Sequence, residues 1–557
     1  MRRAVAAIAG AAAMVALLGG CVSIPTSGGV MAGGVFDDDT DTDIVYNVTG
    51  PQPGSEPETL LADFLLAVRS PVNDYAVARQ YLTPALAETW NPDASVLIRG
   101  TSTSIEPGPQ PGSLRYTFTS RAAVDAQGRY TEQRDTAAQS QTFVFERSGA
   151  EQEWRIAEAP DGIVLSASSF ANTFREYSLY YFDPSHRFLV PDLRWFPSRP
   201  TTPSRVVAEL LTGPVEGLQQ GVVVSEFPQP TALGSGSVRV SSGVATVDLS
   251  DNAAATSAQQ RDWMRQQLAA TLGTPEVVIT VSGVPLTLPD SPGGAVVNPT
   301  VESAVLIGTD SGLGFATTDG FTPIPGISEA ALELGAVAAT LGEDGTELAV
   351  LAGDGTVHLV SAEGASLLDD RAGLVAPSMD PQHLVWSVPA HDPAAIIAFE
   401  TDGTEHPVAV AGLAPGSRLV SMELSRDGAR VLLAINSDLG PQLLAAGVIR
   451  RDGIPAQLGP FLSLPVSSGV VIDAAWVDNH TVAAIVTGDS GTRVTAFSLG
   501  GPSVSLGEIE GATTIVGGNG GRNGIRVLTD ASSVQQPSGT NGWAATGIEA
   551  LLLATQQ

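Results

Sequence analysis

Asp478, His480, Asp489 and Ser490 bring a serine, an imidazole and two carboxylates close together in the chain, and Gly488 to Gly491 read GDSG, the text of a serine protease nucleophile loop. A nucleophilic serine needs a base within hydrogen-bond reach and a third group to orient that base. Chymotrypsin-like enzymes draw their histidine and aspartate from far upstream on a double barrel. Here all the candidates fall within one short stretch, and Thr492 stands where a second glycine belongs. The echo predicts no catalysis. GGNGGRNG, from Gly517, offers backbone N–H groups of the kind that cradle phosphate, but it lacks the dinucleotide spacing and opens no helix, so it reads as a surface loop. Asp39, Asp41 and Asp43 imitate the start of a calcium loop, yet Ile44 occupies the position that requires glycine and Gly50 the position that requires glutamate. The six histidines are scattered without partners at ligand spacing, so no metal site and no cofactor are expected.

One residue remains with a chemistry its surroundings support. Cys21 is the only cysteine of the chain, so it cannot form an internal disulfide. Arg2 and Arg3 make a positive start, Ala4 to Leu18 an apolar run too short and too rich in Ala and Gly to be a permanent span, and Gly19 and Gly20 a small-residue cleavage site. Leu18-Gly19-Gly20-Cys21 resembles a bacterial lipobox. In that reading residues 1–20 are a signal peptide, the Cys21 thiol takes a diacylglyceryl group, and the amine freed by cleavage is open to acylation. Two or three acyl chains hold a protein stably to a bilayer, where one does so only marginally. The alternative is an ordinary cleaved signal with an incidental cysteine.

Composition agrees with export. The chain has 59 acidic against 28 basic residues and a net charge of -31, which repels nucleic acid and anionic lipid and excludes the nucleic-acid-binding class. It contains no lysine, and with its abundant Ala, Gly and Val this suggests a GC-rich genome, an actinobacterium before a halophile, since only 16% of residues are charged. Its 557 residues exceed one core. Residues 21–54, rich in Gly, Pro, Ser and Asp, read as a tether.

From Ser55 to residue 170 the pattern predicts an α+β domain. Ser55 and Glu58 suggest a capping box, Leu60, Leu61, Phe64, Leu65 and Val68 recur at helical spacing, and two further short helices follow. LRYTFTS, QTFVFER and EWRIAEAP then alternate with period two. The order fits the cone-like fold of nuclear transport factor 2 relatives, with Phe64, Trp90, Phe118 and Trp154 read as core. Residues 171–295 predict an α/β domain with one mixed sheet. A helix is capped by Thr202, with Val206, Val207, Leu210 and Leu211 inward, and a second one has Trp263, Met264, Leu268 and Leu272 inward. GVVV and VATVDLS read as strands. From residue 296 to 557 the chain is all-β, and LGEDGTELAVLAG, MDPQHLVWSV, LSRDGARVLLAIN and WVDNHTVAAIV align on Asp344, Asp380, Asp427 and Asp478, spaced 36, 47 and 51 residues apart. Repeats of that length predict a β-propeller of roughly six blades, with the aspartates as turn formers and a closing strand drawn from elsewhere.

YYFDPSHRFLVPDLRWFP, VVAELLTGPVEGLQQGVVVSEFPQPTAL, VATVDLS and QLAATLGTPEVVITVSGVPL resemble a GerMN domain, found in bacterial envelope lipoproteins. The lipobox, CVSIPTSGGV, the GerMN segments and the β-rich tail together resemble the actinobacterial LpqB lipoprotein family over essentially the whole chain. The resemblance carries over no catalytic residues. Arg194 and Trp195, in a loop, are either a binding surface or a packed loop. What the resemblance implies is a non-enzymatic adaptor lipid-anchored on the extracytoplasmic face of the cell membrane. Its implied partner is the extracellular domain of the MtrB sensor histidine kinase, and through it the MtrA regulator of cell-wall homeostasis and division. The alternatives are an envelope receptor for a cell-wall fragment or small ligand, and an envelope hydrolase.

Overall fold

A computed structural model describes residues 48–133, 138–234, 238–289, 293–317 and 320–557. Cys21, the signal, most of the tether and Asp39, Asp41 and Asp43 lie outside the described residues.

The first helix, α1 (Pro57–Ala67), does not use the expected capping box. Glu56 is its N-cap and makes no side-chain cap bond, because Pro57, with its fixed φ and no N–H, sets the start one residue after Ser55. Leu60, Leu61 and Phe64 are buried, and Phe64 lies 5.6 Å from Trp90 and 6.1 Å from Phe143, ring to ring. After α2 (Ala76–Arg79) and α3 (Pro84–Thr89) come β1 (Ser95–Pro107), β2 (Ser113–Asp125), β3 (Tyr130–Glu132), β4 (Ala138–Ser148), β5 (Glu153–Glu158) and β6 (Ile163–Ser166). They form one sheet in the order β5-β4-β2-β1-β6, with β3 on β2. β1, β3 and β6 are additions to the three strands read from sequence. Phe64, Trp90 and Phe118 are core as expected, while Trp154 is half-buried beneath the Arg147 guanidinium, 4.6 Å from its ring.

α4 (Ala167–Thr173), capped by Ser166, leads into the second domain. β7 (Phe174–Phe182) and β8 (Phe188–Pro197) are antiparallel along their whole length, so the stretch LVPDLRWF is strand rather than loop. α5 (Thr202–Thr212) begins one residue earlier than expected. Thr201 is its N-cap, and the Thr202 hydroxyl instead accepts from the Arg199 N–H and donates to the Pro197 carbonyl. β9 (Arg239–Ser241), β10 (Val244–Leu249), α6 (Ala258–Leu272), β11 (Glu276–Val281), β12 (Val284–Pro285) and β13 (Val296–Val297) complete the unit. The expected single mixed sheet is two sheets, β12-β11-β10-β9 and β13-β8-β7. α6 joins them: Met264, Leu268 and Leu272 enter the main core, while Gln267 donates to the Tyr180 carbonyl of β7 and the Thr271 hydroxyl accepts from its N–H. GVVV is no strand. Gly221 takes a positive φ, and only Val224 bridges to Phe182.

The third domain consists of six sheets of four or five strands, spanning 305–323, 338–369, 378–407, 418–464, 470–508 and 512–549. In blades 2 to 6 the first strand packs against the first strands of its neighbours, in the manner of a propeller axis. Blade 1 lacks such a strand of its own. Leu552–Leu553 fills the place, pairing with Val305–Thr309 between blades 6 and 2, and Thr555–Gln556 continues onto the inner edge of blade 2. The closing strand therefore comes from the far end of the same domain. The four repeat aspartates sit between the first and second strands of blades 2 to 5, and each accepts the N–H of the residue two positions on. They are turn formers, as the spacing suggested.

Candidate functional site

β8 is where the three domains meet. It carries Asp192 and Arg194 on one face, two residues apart, as the pleat dictates. The Arg194 guanidinium makes two parallel bonds to Asp192, Nε to Oδ1 at 2.9 Å and Nη2 to Oδ2 at 2.7 Å, and its side chain is 1% exposed. Burial alone lowers the Arg194 pKa, but the bonds and charge of Asp192 outweigh it and the net shift is upward. The pair is then spent on neighbours: Arg194 Nη1 donates to the Gln127 carbonyl of the first domain, and Asp192 accepts the Val215 N–H. Trp195, on the opposite face, donates its ring N–H to the Gly500 carbonyl of the propeller, while its backbone N–H goes to Gly128 and its ring lies 5.1 Å from Phe170. Arg194 and Trp195 are thus neither loop nor exposed binding surface. They are the joint.

Other arginines repeat the device. Arg199 and Arg205, flanking the start of α5, both reach Asp93 of the first domain, at 2.6 and 2.9 Å. Arg187 bridges to Glu343 at 2.5 Å and to the Pro381 carbonyl, on blades 2 and 3. From the propeller, buried Arg430 donates to the Pro191 and Asn479 carbonyls. Glu132 accepts both the N–H and the hydroxyl of Ser503, tying the first domain to blade 5. Among these contacts lies a cavity of about 320 Å3, lined from all three domains by Tyr130, Asp192, Leu193, Arg430 and Phe461 among others.

Near the propeller axis, Glu423 of blade 4 accepts the Trp476 N–H of blade 5 at 2.5 Å, and Asp473 of blade 5 accepts the Ile515 N–H of blade 6 at 2.9 Å. Burial pushes the Glu423 carboxyl up to about 8 and that of Asp473 to about 6. Both side chains stitch blades, and Asp473 also meets the Ser421 hydroxyl of blade 4.

The sequence-level echoes resolve on strand geometry. Gly488 to Gly491 is the hairpin turn of blade 5, where Ser490 accepts from Arg493, while His480 and Asp478 sit at the other end of the eight-residue strand Thr481–Gly488. That strand holds serine and imidazole roughly 25 Å apart. In GGNGGRNG, Asn519 exchanges bonds with both backbone groups of Val301, and a Cβ at Gly517 would fall 1.9 Å from the Trp476 carbonyl oxygen, so Gly517, Gly518 and Gly524 serve close packing while Gly520 and Gly521 supply positive φ. Folding gives three of the six scattered histidines a carboxylate, His186 meeting Glu226, His383 meeting Glu347 and His406 meeting Glu400, while His480 meets its sequence neighbour Asp478. His186 also stacks on Trp263 at 3.9 Å, which explains why Trp263 is half-buried in a side cluster rather than in the main core. Among the described residues, no group of three or more His, Cys, Asp or Glu could hold a metal ion, and no helix is long and apolar enough to cross a membrane.

Three family models match in succession: "Lipoprotein LpqB, N-terminal domain" over residues 50–171, "Sporulation and spore germination" over 178–287, and "Lipoprotein LpqB beta-propeller domain" over 312–547. A lipoprotein LpqB of Rhodococcus opacus is 26% identical over 556 residues, covering 89% of each chain. This chain belongs to the LpqB lipoprotein family. The Nocardia farcinica member is 33% identical over 225 residues, 40% of this chain and 36% of that one. Overlap with solved structures is slighter, a Myceliophthora Cps50 (Swd1) β-propeller domain giving a TM-score of 0.28 at 14% identity over 38% of this chain and 70% of that one. Homologues described as LpqB lipoproteins make membrane association through lipid the family expectation, and the joint at β8 shows how the LpqB modules are held together.

Proposed function

We propose that this chain is a non-enzymatic adaptor of the cell envelope. Cys21, lipidated after removal of residues 1–20, anchors it on the extracytoplasmic face of the membrane, and its partner is the extracellular domain of an MtrB-like sensor histidine kinase acting on MtrA. The observation that supports this reading is the joint itself. Arg194, Arg199, Arg205 and Arg430 fix three domains against one another with buried or half-buried charge pairs and carbonyl bonds, and exposed Arg187 adds a surface pair, so the loops of the propeller and of the first domain form one composite surface. A preorganised surface loses little freedom on binding. Two molecules anchored in the same membrane also meet at high effective concentration, so a modest interface suffices.

The test is a photo-crosslinking scan in the native membrane, with the probe placed in turn on each domain and the products identified by mass spectrometry. Amine-reactive reagents are unsuitable, because the chain has no lysine. Capture of a kinase ectodomain from a defined patch supports the adaptor. Capture of cell-wall fragments with no kinase from any position moves the assignment to an envelope receptor.

A further inference from the structure

The first domain holds a second cavity, of about 360 Å3, between α1 and strands β1, β2 and β6. Its volume falls at the lower end of the ~300–1,000 Å3 of small-molecule pockets. One wall is apolar, built from Leu65, Ile105 and Leu165, with Leu66 45% exposed beside it. The lining also carries two cations. Arg69 follows α1 and is fixed by its carbonyl, which accepts the Thr173 hydroxyl, and Arg99 comes from β1.

Arg99 reaches this cavity through two consecutive register faults. Ile98 pairs with Ala122, but Arg99, the very next residue, pairs with Ser120 rather than Arg121, and Thr103 then pairs with Phe118. Residues paired directly across an antiparallel ladder share a face. In regular alternation Arg99 would point away from Ile98; the fault places it on the same face as Ser120, Phe118 and Tyr116. Bulges of this kind re-aim single side chains at sites. Tyr116, 4% exposed, turns its hydroxyl toward both Arg99 and Thr103, and burial followed by these contacts leaves its pKa above the ordinary value.

Charge makes the cavity unlike the rest of the molecule. In a chain of net charge -31, no Asp or Glu lines it, and among the described residues neither guanidinium meets a carboxylate; Arg99 donates to the neighbouring Gly100 carbonyl, at 2.9 Å, and meets the Tyr116 hydroxyl. Two cations facing one half-enclosed space repel each other until an anion stands between them. A guanidinium is suited to carboxylate and phosphate because its donors form a planar fork. We propose that this cavity binds an anionic amphiphile, a carboxylate or phosphate head group held by Arg69 and Arg99 with its apolar arm along Leu65, Ile105 and Leu165. The proposal stands apart from the kinase reading and does not need it.

The experiment uses the purified full chain and the fluorescent fatty acid cis-parinaric acid as probe. Laurate and dodecyl phosphate, each below its micelle concentration, displace the probe, while dodecanol and dodecyltrimethylammonium at the same concentrations do not. The double substitution Arg69→Gln/Arg99→Gln weakens binding about ten- to a hundredfold, the loss of one or two charge-assisted hydrogen bonds. Arg115→Gln, on the exposed face of β2, leaves it unchanged. Equal displacement by dodecanol and laurate overturns the proposal, as does unaltered affinity in a folded double variant. If that variant does not fold, the head-group series on the parent chain decides alone. Vesicles separate the sources of the ligand: displacement by phosphatidylcholine vesicles containing phosphatidic acid, and not by plain ones, assigns a membrane lipid, and displacement by free dodecyl phosphate alone assigns a soluble amphiphile.

Discussion

Arg194 and Arg99 are both strand arginines turned inward, and they are used in opposite ways. Arg194 is 1% exposed, bonded twice to Asp192 and once more to the Gln127 carbonyl. Arg99 lines a cavity of about 360 Å3 with Tyr116 and Arg69, and no carboxylate among the described residues meets it. The difference teaches where an arginine is structural and where it is available. A guanidinium whose donors are consumed inside the fold holds domains in register, and one left with free donors beside an apolar wall is kept for something that arrives from outside.

The contrast breaks most visibly at the joint. Arg194→Met leaves the Asp192 carboxylate buried without its partner, and chemical denaturation should show a loss of about 3–5 kcal/mol. Arg194→Lys restores charge but not the planar fork, and recovers only part of that loss. A second effect is set by pH. Glu423 rises from an ordinary 4.5 to about 8, so between those values the folded chain keeps a proton that the unfolded chain has released. Stability contributed by this group is complete below pH 4.5 and is lost as pH rises toward 8. Glu423→Gln removes that slope, and melting curves at pH 5 and pH 8 should differ less in the variant, by on the order of 1–3 kcal/mol. Smaller still is the cap of α6, where the Ser257 hydroxyl accepts the Gln260 N–H. Ser257→Ala should lower thermal stability by about 1 kcal/mol. At the small end, Arg99→Gln removes a charge with no carboxylate partner, and denaturation should place it within about 0.5 kcal/mol of the parent. A large destabilisation there would mean that Arg99 is a second Arg194, and the comparison would collapse.

Much of the fold could be read from local pattern. The amphipathic runs 60–68 and 206–211 place their buried residues correctly, because a helix core face depends only on spacing within one element. Four blades announced themselves through Asp344, Asp380, Asp427 and Asp478, each at the same turn of its blade. The other two did not repeat, for visible reasons: in blade 6 the corresponding turn is replaced by the Gly517 to Gly524 loop, and blade 1 has no chain connection there at all, since its inner strand arrives as Leu552–Leu553. β1 was hidden because its register faults break the alternation around Arg99 and Gly100. The role of Arg194 was equally hidden. Its position in LVPDLRWF is local information, but Gln127 and Gly500, the groups that Arg194 and Trp195 contact, lie in other domains.

The placement of Leu552–Leu553 turns the order of synthesis into a physical constraint. Residues 305–323 emerge early, yet Val305–Thr309 keeps an unpaired inner edge until residues 552–553 have followed it out, a length of chain that spans every other blade. An open strand edge is an invitation to pair with the wrong partner. Until residues 552–553 are in place the propeller is therefore a row of blades rather than a ring. Trimming a few residues at 552–556 would act far from the cut, reopening the seam between blades 6 and 2 while leaving each remaining blade intact.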